Sequence, residues 1–158
     1  TLEQMDAFLV PADAAADQHL AMDFEKIAGT KGEPGEIEVL ERTLKVQRKA
    51  PGVIWFDFDT LCGGNRSQND YLEIAREHHT LILSRVPKMS AAMASEARRF
   101  TWLIDVLYDH RVKLVVSAEC QAYDLYREGH KANEFLRTVS RLIEMRSRDY
   151  LAEAHRTE

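Results

Sequence analysis

Three short apolar runs constrain this chain more than any other feature: Val53 to Phe58 (VIWFDF), Leu81 to Leu83 (LIL) and Val112 to Val116 (VKLVV). Stretches with helical periodicity lie between them. Buried strands separated by helices are the signature of a parallel sheet whose helices are the crossovers joining neighbouring strands. The stretch Ser67 to Glu77 places Tyr71, Ile74, Ala75 and His78 at i, i+3, i+4 and i+7, with Ser67 and Asn69 as candidate caps. Ala91 to Tyr108 carries Phe100, Leu103, Ile104 and Leu107 as a buried stripe. A last helical region, about 133 to 154, sets Phe135, Val139, Leu142 and Ile143 on one side.

The region before the first run reads differently. Ala16, Leu20, Phe24 and Ile27 recur at helical spacing after Pro11, with Gly29 just past them, which predicts a helix over 12–28. TKGEPG, Thr30 to Gly35, is a loop by composition. Ile37 and Val39, then Leu44 and Val46, alternate with polar residues about Glu41-Arg42, so a β-hairpin precedes VIWFDF and a β-meander spans 36–58. The prediction is an α/β fold in a single domain: a small, mainly parallel sheet with crossover helices over 67–154, preceded by a β-hairpin. At 158 residues the chain is long enough to bury a full core.

The net charge of -5, with acids and bases intermixed, gives no field that would gather nucleic acid or anionic lipid. No apolar run reaches the roughly 18–20 residues needed to span a bilayer, and no signal segment opens the chain. Cys62 and Cys120 lack CxxC spacing and do not form a disulfide framework. A cytoplasmic protein is expected. The start at Thr1, running quickly into Leu9, Val10 and Pro11, suggests a piece of something longer.

Catalytic signatures are missing. A phosphate cradle of the GxxxxGK[ST] type wraps phosphates with successive backbone amides and a lysine, and nothing here matches it. Gly29-Thr30-Lys31-Gly32 has the residue types at the wrong spacing and in the wrong context. Leu81-Ile82-Leu83 is followed by Ser84 and Arg85, not by the acid that would hold a metal. Glu77, His78 and His79 are adjacent, but helix ligands need i, i+3 or i+4 spacing and only Glu73 and Glu77 have it. His78 is read as a hydrogen-bonded core histidine, and Cys62 and Cys120 as buried, inert thiols. No metal site and no catalytic residue follow from the sequence.

Arginines supply the candidates that remain. Arg98 and Arg99 precede the buried Phe100, so at about 100° per residue at least one projects sideways from its helix. Arg137, Ser140, Arg141, Glu144 and Arg148 form one polar face, which is either a solvated face with an Arg141–Glu144 pair or a surface offered to a neighbour's phosphate or acidic patch. Ser117 ends the run VKLVV, where ligands collect in open α/β sheets, so Ser117 and Glu119 are ligand or interface candidates, with a turn or helix cap as the alternative.

SEARRFTWLIDVLYDHRVKLVVSAE (Ser95 to Glu119), Tyr126 and RTVSRLIEM (Arg137 to Met145) resemble the ZapE/AFG1-like family of AAA+ ATPases. So do SQNDYLEIAREHHTLIL (Ser67 to Leu83) and SRDYLA (Ser147 to Ala152), with a looser match in FLVPADAAAD (Phe8 to Asp17). In that family the nucleotide machinery lies in an amino-terminal core that these blocks follow. The resemblance therefore implies a carboxy-terminal accessory domain over 1–158, without cofactor of its own, in a parent that hydrolyses ATP with Mg²⁺ and oligomerises. It implies partners too: the parent's own AAA+ core, neighbouring subunits, and FtsZ or another protein client at the division site. Mitochondrial relatives are tied to protein quality control. One departure is Ser84-Arg85 before Val86-Pro87, where relatives are expected to carry an acid. On this reading Arg98, Arg99, Arg137 and Arg141 are interface or trans-nucleotide contacts. The competing reading is an independent small-molecule enzyme using Cys62, Cys120, His78 or His79.

Overall fold

The computed structural model describes residues 6–158. The strands are β1 (Phe8–Leu9), β2 (Glu33–Val39), β3 (Arg42–Ala50), β4 (Val53–Asp57), β5 (Thr80–Val86) and β6 (Lys113–Ala118). The helices are α1 (Ala14–Ala28), α2 (Phe58–Cys62), α3 (Gln68–Glu77), α4 (Ala94–Asp109), α5 (Phe135–Glu144) and α6 (Arg148–Ala152). All strands join one six-stranded sheet in the order β1-β6-β5-β4-β3-β2. The pairs β1–β6, β6–β5 and β5–β4 are parallel, while β4–β3 and β3–β2 are antiparallel. The mainly parallel α/β sheet led into by a hairpin is as the apolar runs predict.

Both faces of the parallel strands are covered, which is why they are apolar at nearly every position. Ile54, Phe56, Leu81, Leu83, Leu114 and Val116 face the larger core, with Tyr71 and Ile74 of α3, Phe100 and Leu103 of α4 and Phe135 and Leu142 of α5. Val53, Trp55, Ile82 and Val115 face the other side, where Leu20 and Phe24 of α1 cover them. The result is three layers.

Local chemistry sets the element ends. Asp13 caps α1 by accepting from the Ala16 amide at 2.9 Å, so the helix starts at Ala14, two residues later than the apolar spacing alone suggests. Ser67, not Asn69, caps α3, in a reciprocal capping box with Asp70. The hairpin turns on Leu40 and Glu41, both with positive φ (48° and 70°), in the left-handed geometry that two-residue hairpins require. Gly52 (φ 76°) turns the chain from β3 into β4, and a Cβ there would come within 2.6 Å of the His79 ring.

The structure departs from expectation in several places. Glu33 to Gly35, expected in the loop, open β2 through pairing with Lys49 and Val46, and Phe58, expected to end the third strand, begins α2. The predicted last helix over 133–154 is two helices broken at Met145, with Ser147 capping α6. Ile143 is 57% exposed, because the buried stripe of α5 runs through Phe135, Thr138, Val139 and Leu142 to Met145 and leaves Ile143 on the outer face. Finally, β1 and α2 are short elements with no periodic signal of their own.

Candidate functional site

The carboxyl ends of β4, β5 and β6 meet at one edge of the sheet, and their polar groups are bonded to one another. The Trp55 indole donates to Ser84 Oγ at 3.0 Å, and Ser84 donates to Asp57 Oδ1 at 2.9 Å. Burial raises the Asp57 carboxyl above its ordinary pKa, with the Ser84 bond partly offsetting it. Ser117 is fully buried and its Oγ accepts from the Arg85 amide at 2.8 Å. That bond bridges the register shift between Leu83 and Val86, where Arg85 takes φ 60°. The Arg85 guanidinium turns back over the edge to the Asp17 carboxylate and the Ala12 carbonyl. Glu119 is exposed beyond the edge, its amide bonded to Val86 O at 2.9 Å.

This edge does not fit ATP with Mg²⁺. The chain has no phosphate loop, Ser84 and Arg85 stand where a metal-holding acid would end β5, and the nearest carboxylates are engaged by Ser84 and Arg85. Ser117 is spent on shaping the edge.

A second polar region lies along the seam between α4 and α5, where the four arginines sort themselves. Arg99 is a strut: Nε donates to the Cys62 carbonyl at the end of α2 at 2.7 Å, and its side chain is 13% exposed. Arg141 pairs with Asp105 and lies 4.9 Å from the Tyr108 ring centroid. Its expected partner Glu144 instead accepts from the Tyr108 hydroxyl at 2.7 Å. Thr101 meets Thr138 through their hydroxyls at 3.4 Å. The matched order Thr101–Thr138, Asp105–Arg141, Tyr108–Glu144 means that α4 and α5 run side by side in the same direction.

Arg98 and Arg137 are different. Both are exposed, and neither has a carboxylate partner among the described residues. Arg98 lies 5.1 Å from the Trp102 ring centroid, a cation–π contact that holds the guanidinium without neutralising it. Beside it the seam opens into a cavity of about 350 Å³ whose rim and walls include Arg98, Trp102, Tyr126, His130, Lys131 and Glu134. Sequence reasoning missed this opening, since Trp102, His130 and Lys131 form no motif and are brought together only by the fold.

The thiols and histidines are poor catalytic candidates. Cys62 is fully buried beneath the Tyr71 hydroxyl, and burial pushes its thiol up to about 12. Cys120 is half-buried and also raised, by desolvation first and by Asp124 and Glu119 after it. His78 donates from Nδ1 to Ile74 O at 2.8 Å at the end of α3, and His79 Nδ1 meets Thr80 Oγ1 at 2.8 Å. Desolvation lowers both imidazoles and favours the neutral ring. Among the described residues no group of three or more His, Cys, Asp or Glu is placed to hold a metal ion, and no helix is long and apolar enough to cross a membrane.

Fold and site together define a three-layer α/β domain with a self-sealed sheet edge and a cationic opening between two helices. The sequence matches the family described as AFG1-like ATPase over residues 1–154. It is 38% identical over 156 residues to the cell division protein ZapE of Escherichia coli, covering 98% of this chain and 42% of that protein. It is 32% identical over 124 residues to an uncharacterized protein, C115.02c, of Schizosaccharomyces pombe, covering 77% of this chain and 27% of that protein. With the lactation elevated protein 1 homolog B of Danio rerio it shares 27% identity over 186 residues, 96% of this chain and 37% of the other. No solved structure matches. The chain belongs to the AFG1-like ATPase family, and it spans less than half the length of these relatives.

Proposed function

We propose that this chain is the carboxy-terminal interaction domain of an AAA+ ATPase, non-catalytic by itself, in a parent that hydrolyses ATP with Mg²⁺ and oligomerises. The observation that carries this is the division among the arginines: Arg99 and Arg141 are consumed inside the domain, whereas Arg98 and Arg137 stand exposed without carboxylate partners among the described residues. The missing phosphate loop and the self-bonded sheet edge support it. Arg98 and Arg137 contact the parent's ATPase core, a neighbouring subunit or a protein client. The likeness to a cell division protein supports a client at the division site in the cytoplasm, FtsZ being the candidate.

Two measurements test it. The isolated chain shows no ATP turnover, and turnover by a fragment free of contaminating ATPase overturns the reading. In the full-length parent, Arg137→Ala lowers ATPase or client binding while leaving the melting temperature of this domain unchanged; unchanged activity would reduce Arg137 to a solvated residue.

A further inference from the structure

The opening at the amino ends of α4 and α5 is built rather than accidental. The turn from Tyr126 to Glu134 forms its outer wall and is fixed at several points. The Tyr126 ring is buried and its hydroxyl donates to the His130 carbonyl at 2.8 Å. A side chain at position 129 would come within 2.0 Å of that hydroxyl, so only Gly129 lets the turn close on the ring. Lys131 is held at φ 61°, a left-handed conformation that a residue with a side chain adopts only when its surroundings impose it. Its carbonyl accepts from the Glu134 and Phe135 amides at 3.0 and 3.1 Å. The floor is apolar, with Phe135 lying edge-on to Tyr126 and Trp102 rising from α4.

Charge identifies the occupant. The chain carries -5 overall, yet this rim presents Arg98 and Lys131 against the single acid Glu134. Neither Arg98 nor Lys131 has a carboxylate partner among the described residues. The ligand is therefore anionic over an apolar body. The opening has no backbone-amide cradle of the kind that wraps a free phosphate, because the Ala132, Glu134 and Phe135 amides are committed to turn bonds. Next to the opening, α5 also carries Arg137, exposed and without a carboxylate partner among the described residues.

We propose that this groove binds an acidic peptide segment in which carboxylates flank a large apolar side chain. The apolar side chain enters between Trp102 and Phe135, and the carboxylates pair with Arg98 and Lys131. The proposal rests on the reading of Arg98 as an interaction residue given above and names the chemistry of what it meets.

The two tryptophans make the test internal, because Trp102 lines the groove and Trp55 lies in the opposite core layer. Their indole N–H resonances are followed in the ¹⁵N-labelled chain during titration with the heptapeptide acetyl-Gly-Asp-Asp-Phe-Leu-Asp-Gly-amide. The expected result is a saturable shift of Trp102 with Trp55 unmoved. The response falls at least about tenfold in affinity with Arg98→Gln, which corresponds to about 1.4 kcal/mol, and is restored in part by Arg98→Lys. Lys131→Asn, which keeps a residue tolerant of left-handed backbone, weakens it severalfold.

A Trp102 resonance that stays put, or moves equally with the Asn-for-Asp peptide, overturns the proposal. An equal response to inorganic phosphate or ATP alone also overturns it, in favour of a free-anion site. Arg98 substitution that reduces parental ATPase while the peptide leaves Trp102 unmoved sinks the groove but spares the domain reading. Peptide binding by a domain that itself turns over ATP does the reverse.

Discussion

The seam between α4 and α5 has two halves built from the same residue types and put to opposite uses. In the carboxyl half, Asp105 answers Arg141, Glu144 answers Tyr108, and the helices are zipped. In the amino half, Arg98 has the face of Trp102 but, like Lys131, no carboxylate partner among the described residues, and the helices part around a cavity of about 350 Å³. A charged side chain matched within the chain contributes to holding the fold; one left unmatched beside a preformed apolar floor is available to a partner. Each prediction below either breaks this contrast or sharpens it.

The largest effect comes from removing the floor that both halves share. Phe135 is buried, stacks against Phe100 at 6.2 Å and meets Tyr126 edge-on at 5.6 Å. Phe135→Ala should cost about 3–5 kcal/mol, read as a lowered denaturation midpoint, because the cavity it leaves cannot fully collapse. A loss under about 1 kcal/mol would mean that the seam does not depend on this ring.

The next effects separate the arginines. Arg99→Ala removes the donor to the Cys62 carbonyl and should cost about 1–3 kcal/mol, since its guanidinium is mostly shielded. Arg141→Ala breaks the Asp105 pair and the Tyr108 stack and should cost about 1 kcal/mol, the partial exposure of both partners screening the charge. Arg98→Ala and Arg137→Ala should fall within about 0.5 kcal/mol of the parent chain. Thermal unfolding of these variants reads the whole series, and an Arg98 effect as large as that of Arg99 would erase the distinction between the halves.

That division was only partly legible beforehand. VIWFDF, LIL and VKLVV stand out because burial on both faces demands apolar side chains at nearly every position, α1 announces itself through the spacing of Ala16, Leu20, Phe24 and Ile27 ahead of Gly29, and α3 through Ser67. β1 could not be read, because two residues carry no alternation and its place rests on the distant partners Val116 and Ser117. Arg98 and Arg99 were indistinguishable, since only the position of α2, itself too short to register, decides which meets a carbonyl. The local Arg141–Glu144 pair lost to Asp105, 36 residues away in sequence, because packing set α5 beside α4. The groove was hidden for a related reason: Gly129, Tyr126 and Trp102 act together only once the turn has closed.

The smallest effect concerns pH and lies outside the seam, where it serves as a control. Desolvation holds the folded His78 below its ordinary value of 6.5, so near neutral pH both folded and unfolded chains carry the neutral ring. As pH falls through about 6.5 the unfolded chain takes up a proton first, the folded chain lags, and stability is lost until the pH passes below the folded value. His78→Gln should flatten that fall in the denaturation midpoint, while Arg98→Ala should leave its slope unchanged. If the Arg98 substitution altered the acid limb as much as the His78 substitution did, the open half of the seam would be electrically coupled to the far end of α3. The groove could then no longer be treated as an independent binding surface.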